Sequence, residues 1–131
     1  MKNIQEYFSN GQITVSKKVF AIATAKELVK DAFAAIQDEK ETTVVVDQSK
    51  LDQYKDVLLE IDRDWKIITF DLLLPIDMVG FIATVANALA EEGISILVIS
   101  SYSTDHILVQ DYDLAKAITK IQSFGCKVVE K

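Results

Sequence analysis

WKIITFDLLLPIDMVGFIATVANALAEEGISILVIS, residues 65–100, is the stretch on which the fold turns. Its first ten residues, 65–74, are rich in β-branched and aromatic side chains and run into Pro75, as a strand does. Asp77 then stands at an N-cap position, and Val79, Ile82, Val85, Ala86 and Leu89 recur at helical spacing. Gly93 falls where a helix C-terminus takes a left-handed residue. ISILVIS (94–100) follows as a second strand.

Working outward, HILVQ (106–110) reads as a strand. Asp111 or Asp113 can cap a helix whose buried stripe is Leu114, Ala117, Ile118 and Ile121. Gly125 closes that helix, and CKVVE (126–130) is a last strand. The order β-α-β-β-α-β is the ferredoxin-like split βαβ pattern.

Upstream, the chain reads as a shorter copy. ITV (13–15), KVFAIAT (18–24) and TTVVV (42–46) are strands. Thr24 with Glu27, and Ser49 with Asp52, have capping-box spacing, and Leu51, Tyr54, Leu58 and Ile61 support a helix. ELVKDAFAAIQDEK (27–40) has two readings. Propensity favours one helix with Leu28, Val29, Ala32, Phe33 and Ile36 on a face. The repeat favours a short helix, then a hairpin pairing FAAIQ with ETTVVV across Asp38-Glu39-Lys40. The division expected is a degenerate unit over 1–64 and a complete one over 65–131, packed as one body without a flexible linker.

The chain has 131 residues, half of them hydrophobic, enough for a real core. Its formal charge is −6, with the acidic excess spread over both halves, so nucleic acid and anionic membrane are not expected partners. Cys126 and His106 are each the sole residue of their type, which excludes an intrachain disulfide, a Cys/His metal site and any bound cofactor built on one. MKNIQEYFSNGQ lacks the apolar run of a secretory signal, and 78–90 is too short to span a bilayer, so a soluble cytoplasmic protein is expected. With one histidine and no phosphate-binding glycine loop, no catalytic constellation is legible.

Trp65, Gly80, EEGISI (91–96), ISSYSTDHILV (99–109) and DYDLAKAI (111–118) together resemble the core of the small tandem ACT-domain proteins, the branch that includes the cytosolic arginine sensors of animals. The resemblance covers about 65–125 strongly and 18–47 weakly. It implies an α+β fold of tandem ACT-like βαββαβ units, with antiparallel sheets and helices on one face. It also implies the hairpin over 33–47. In function it implies a non-catalytic regulatory module that binds an amino acid at interfaces between domains, as a homodimer, with a regulated protein as a further partner. His106 replaces an aromatic residue frequent in relatives. Ala83 carries no polar group where the arginine sensors place a carboxylate.

Two segments are candidate ligand sites. In Ile76, Asp77, Met78, Val79 and Gly80, a helix start offers unpaired N–H groups to a carboxylate, and Gly80 permits close approach. Asp77 there either caps the helix or attracts an ammonium. Ser100, Ser101, Thr104 and Asp105 offer hydroxyls and one carboxylate where two strands meet; Ser103, Thr104 and Asp105 could equally serve only the turn. The expected topology sets the first two strands of this half side by side, and places the end of 94–101 at the sheet edge opposite the start of helix 78–92. The segments would then meet only where two domains pair, which is how the family builds its sites. The alternative is an interaction scaffold with no small ligand.

Overall fold

The computed structural model describes residues 4–72, 74 and 78–130. Its elements in chain order are α1 (Ile4–Asn10), β1 (Gln12–Val15), β2 (Phe20–Ala25), β3 (Ala34–Gln37) and β4 (Thr42–Asp47), then a 3₁₀ helix over Gln48–Tyr54. β5 (Leu58–Asp71), α2 (Phe81–Glu91), β6 (Ile96–Ser100), β7 (Asp105–Gln110), α3 (Leu114–Gln122) and β8 (Lys127–Glu130) complete it, with a 3₁₀ turn at Asp111–Asp113 leading into α3. Contacts group the chain into two compact units: Lys18–Trp65, and the residues up to Lys17 together with those from Lys66. The α+β fold expected from the sequence is the one observed. No helix among the described residues is long and apolar enough to cross a membrane.

In the unit that includes the C-terminal half, the strand order is β6-β7-β5-β1-β8. β1 runs antiparallel to β5, with Ile13 opposite Phe70, and parallel to β8, with Ile13 opposite Val128. These pairings, together with Phe8 in the core, draw residues 4–17 into this unit, although they precede the 64/65 division read from the sequence. Period-two alternation sends Ile13, Val15, Ile68, Phe70, Ile107 and Val109 to one sheet face. Phe8 of α1, Phe81, Val85 and Leu89 of α2, and Ala117 and Ile121 of α3 cover that face. Phe81 packs between Phe8, stacked at 5.2 Å, and Phe70, edge-on at 5.3 Å between ring centroids.

Three details of the helices differ from the sequence reading. α2 starts at Phe81 rather than 78, so Val79 lies outside its apolar stripe and is 87% exposed. Gly80 is the N-cap residue, at φ 90°, where a side chain would be strained; Asp77 lies outside the described residues. α3 takes no side-chain cap from Asp113, because the 3₁₀ turn at Asp111–Asp113 already feeds its first turn.

In the unit Lys18–Trp65 the order is β3-β4-β2-β5, with all pairings antiparallel. The hairpin reading of 33–47 is the observed one: Ala34 lies opposite Val45 and Gln37 opposite Thr42. Asp38 Oδ1 accepts from the amides of Lys40 and Glu41 and closes the turn. Neither helix expected here forms as read. The segment 26–33 has no helix; Asp31 sits at φ 68°, which breaks any right-handed run. Thr24 caps nothing, and its hydroxyl accepts from Glu60 N across the sheet. The helix expected from Leu51 is a 3₁₀ helix ending at Tyr54, capped by Asp47 through Ser49 N. Leu58 and Ile61 belong to β5 instead, because pairing with β2 satisfies their backbone (Ala25 opposite Leu58, Ala23 opposite Ile61).

Candidate functional site

The N-terminus of α2 and the β6–β7 turn face one cleft of about 640 Å³ within a single unit. This corrects the expectation that the two segments lie at opposite edges. β7, not β6, pairs with β5, so the first two strands of this half are not neighbours. The crossover helix α2 runs back along the sheet, so the end of β6 returns to the edge where β5 ends and α2 begins. Helix start and hairpin tip therefore share an edge without help from another domain.

The helix side is built from backbone. Gly80 O accepts from Thr84 N at 3.0 Å and from Thr84 Oγ1 at 2.9 Å, which closes the first turn. The amides of Phe81, Ile82 and Ala83 lie in that first turn, where helical geometry gives no intrahelical acceptor, and among the described residues no side chain caps them. All three residues line the cleft, so the positive end of the helix dipole opens into it.

The hairpin side is built from side chains. Ser100 and Asp105 are the last pair of the β6–β7 ladder, on the sheet face that carries Ile107 and the helices. Ser100 Oγ donates to Asp105 Oδ1 at 2.6 Å and fixes the carboxylate, which is half-buried. Ser101 closes the turn: its amide and its hydroxyl both donate to Thr104 O, at 2.8 and 3.0 Å. The sequence reading offered that turn role to Ser103, Thr104 and Asp105 and not to Ser101; Ser103 is exposed and lines the cleft.

Of the residues singled out from sequence, Met78, Gly80, Ser100, Ser101, Thr104 and Asp105 line the cleft, and Val79 does not. Ile76 and Asp77 lie outside the described residues. Sequence reasoning missed the apolar wall of Leu74, Phe81 and Ile82. These read as core positions, and Phe81 is one, at 4% exposure; only tertiary packing shows that their outer atoms border open space.

Behind Asp105 on β7, His106 points to the other sheet face, where its Nδ1 shares a 2.8 Å hydrogen bond with Thr69 Oγ1. Burial lowers its pKa below the usual histidine value, and the neighbouring Asp105 only partly opposes that. Burial likewise raises the Cys126 thiol, so the cysteine is a packed core residue. No cluster of three metal-ligating side chains occurs among the described residues. Another cleft, of about 650 Å³, borders the α1–β1 turn, but its one carboxylate, Asp71, already accepts from Gln12 Nε2 at 3.1 Å.

Residues 60–123 match the family model described as ACT domain, a span that contains every described residue of the 640 Å³ cleft. No curated protein matches the chain by sequence. Among solved structures, the chain is similar to a protein of Agobacterium tumefaciens at 22% identity and a TM-score of 0.77, covering 92% of this chain and 93% of that one. A Vibrio cholerae protein of unknown function, described as a possible transport protein, gives 22% identity and 0.75, covering 93% and 95%. The regulatory subunit of aspartate kinase from Thermus thermophilus gives 10% identity and 0.66, covering 88% and 97%. At these identities the likeness shows a shared fold. The sequence match by itself places an ACT domain, a regulatory type of module, at residues 60–123.

Proposed function

We propose that the chain is a non-catalytic regulatory module of the cytoplasm that binds a free amino acid in the cleft of its ACT domain. The observation that supports this most is the convergence, in one unit, of the α2 N-terminus, which no described side chain caps, and the Asp105 carboxylate. An amino acid carries the complementary charges. Its α-carboxylate would accept from the first-turn amides of α2, next to Gly80, and its α-ammonium would sit against Asp105, with Thr104 and Ser100 beside it. Met78 would contact the side chain.

In this reading the unit Lys18–Trp65 is a degenerate ACT-like repeat, in tandem with the domain that holds the cleft. The working form is a homodimer. β6 pairs with β7 on one side only among the described strands, and its outer edge carries no charge while Val98 is 38% exposed. Such an edge favours pairing with a second copy. The same edge supports a second reading, a scaffold that contacts a partner protein and takes no small ligand.

A thermal-shift screen against the twenty amino acids separates the two. A ligand at about a hundred times its dissociation constant adds roughly 2.7 kcal/mol, several degrees in melting temperature for a chain of this size. Asp105→Ala is expected to abolish that shift while the unliganded melting temperature holds, since Asp105 makes one side-chain hydrogen bond at the end of a ladder. No shift with any amino acid at millimolar concentration leaves the scaffold.

A further inference from the structure

We infer that the amino acid taken by this cleft has an uncharged, apolar side chain, an inference that rests on the amino-acid reading above. Among the described residues lining the cleft, Asp105 is the sole charged side chain. Once it holds the α-ammonium, a second charge on the ligand finds no counter-ion among the described residues of the cleft. An aspartate or glutamate side chain would meet neutral groups and a carboxylate, inside a chain of net charge −6. A lysine or arginine side chain would compete with its own α-ammonium for Asp105. Placing an unpaired charge in a partly desolvated cleft opposes binding and discriminates against such ligands.

The walls supply the positive half of the argument. Leu74, Met78 and Ile82 are half-buried, pack on the core around Phe81, and turn their remaining surface to the cleft. They form an apolar wall held in place by the core beneath it. On the opposite wall the Ser101 hydroxyl donates to Thr104 O and the Ser100 hydroxyl to Asp105, so neither of these two protons is offered to a ligand. An apolar side chain laid on Leu74, Met78 and Ile82 gains free energy in proportion to the area it covers.

Isothermal titration of the full chain with glycine, leucine, methionine, phenylalanine, aspartate, glutamate, lysine and arginine tests this, with glycine as the reference for the backbone site alone. Leucine, methionine or phenylalanine is expected to bind at least about tenfold tighter than glycine, and the four charged amino acids no tighter than glycine. Met78→Gln is expected to shrink the ratio of apolar ligand to glycine. A charged amino acid that binds as tightly as the best apolar one overturns the inference and leaves the amino-acid reading standing. Absence of binding by all eight, glycine included, overturns both.

Discussion

The two units follow one strand plan and differ in what covers it. In Lys18–Trp65 the second, third and first strands lie in the order β3-β4-β2, and in the other unit the corresponding strands lie in the order β6-β7-β5. The first-to-second connection is an eleven-residue helix in the ACT domain and a non-helical segment in its counterpart. Side-chain size accounts for the difference. β2 presents Ala21, Ala23 and Ala25 to its core, a low surface that a loop bearing Val29 and Ala32, with Leu51 and Tyr54 of the 3₁₀ helix, is enough to cover. β5 presents Ile68 and Phe70, which need the depth of a full helix carrying Phe81, Val85 and Leu89. In the unit with the deep core this connection therefore supplies an α-helix N-terminus that borders a cleft, and in its counterpart the connection has no helix among the described residues.

If this contrast is right, core truncation costs the two units unequally. Phe81→Ala is expected to destabilise the chain by about 3–5 kcal/mol, because the ring leaves a cavity between Phe8 and Phe70. Val46→Ala, equally buried but facing the alanine strand, is expected to cost about 2 kcal/mol. Urea unfolding measures both, and equal losses would break the comparison. Next comes Gly11→Ala, at the α1–β1 turn. An added Cβ would fall 1.7 Å from Leu72 Cδ2 and 2.8 Å from Tyr7 O, so Leu72 must move within the packed core, at about 1–3 kcal/mol.

Smaller effects separate the units by chemistry. Asp47→Ala removes the acceptor of Ser49 N (3.0 Å) and Ser49 Oγ (2.8 Å) and the partner of Lys18, and is expected to cost about 1 kcal/mol in the alanine-cored unit. Titration then places the two units in different pH windows. His106 has a folded pKa below its ordinary 6.5, so the unfolded chain binds its proton first. Its contribution is intact above pH 6.5 and fades as the pH falls through the lower folded value. Asp47 is also held below its ordinary 3.8, chiefly by the Ser49 hydroxyl, so its contribution persists above pH 3.8 and is lost only in stronger acid. Melting temperatures are expected to fall between pH 7 and 5 in the parent and less in His106→Gln. Asp47→Asn is expected to flatten the curve only at the acid end.

Much of this molecule is legible in its residues. The β-branched and aromatic content of 65–71, the apolar run in 106–110, helical spacing over 81–91 and 114–122, and the glycines at 93 and 125 set the strands and helices of the ACT domain. The same signals misread 26–33 and 51–61. There, apolar residues at helical spacing serve a shallow core through a loop and a strand, with Asp31 in the left-handed region, and tertiary pairing with β2 and β4 outweighs local propensity. For the candidate site, the sequence determined the chemistry on offer, namely Gly80, the polar run Ser100–Asp105 and its single carboxylate. Tertiary structure alone decided that these share one cleft with Leu74, Phe81 and Ile82. A strand, a returning helix and the next strand bring helix start and strand end to the same edge, and no spacing along the chain records that return.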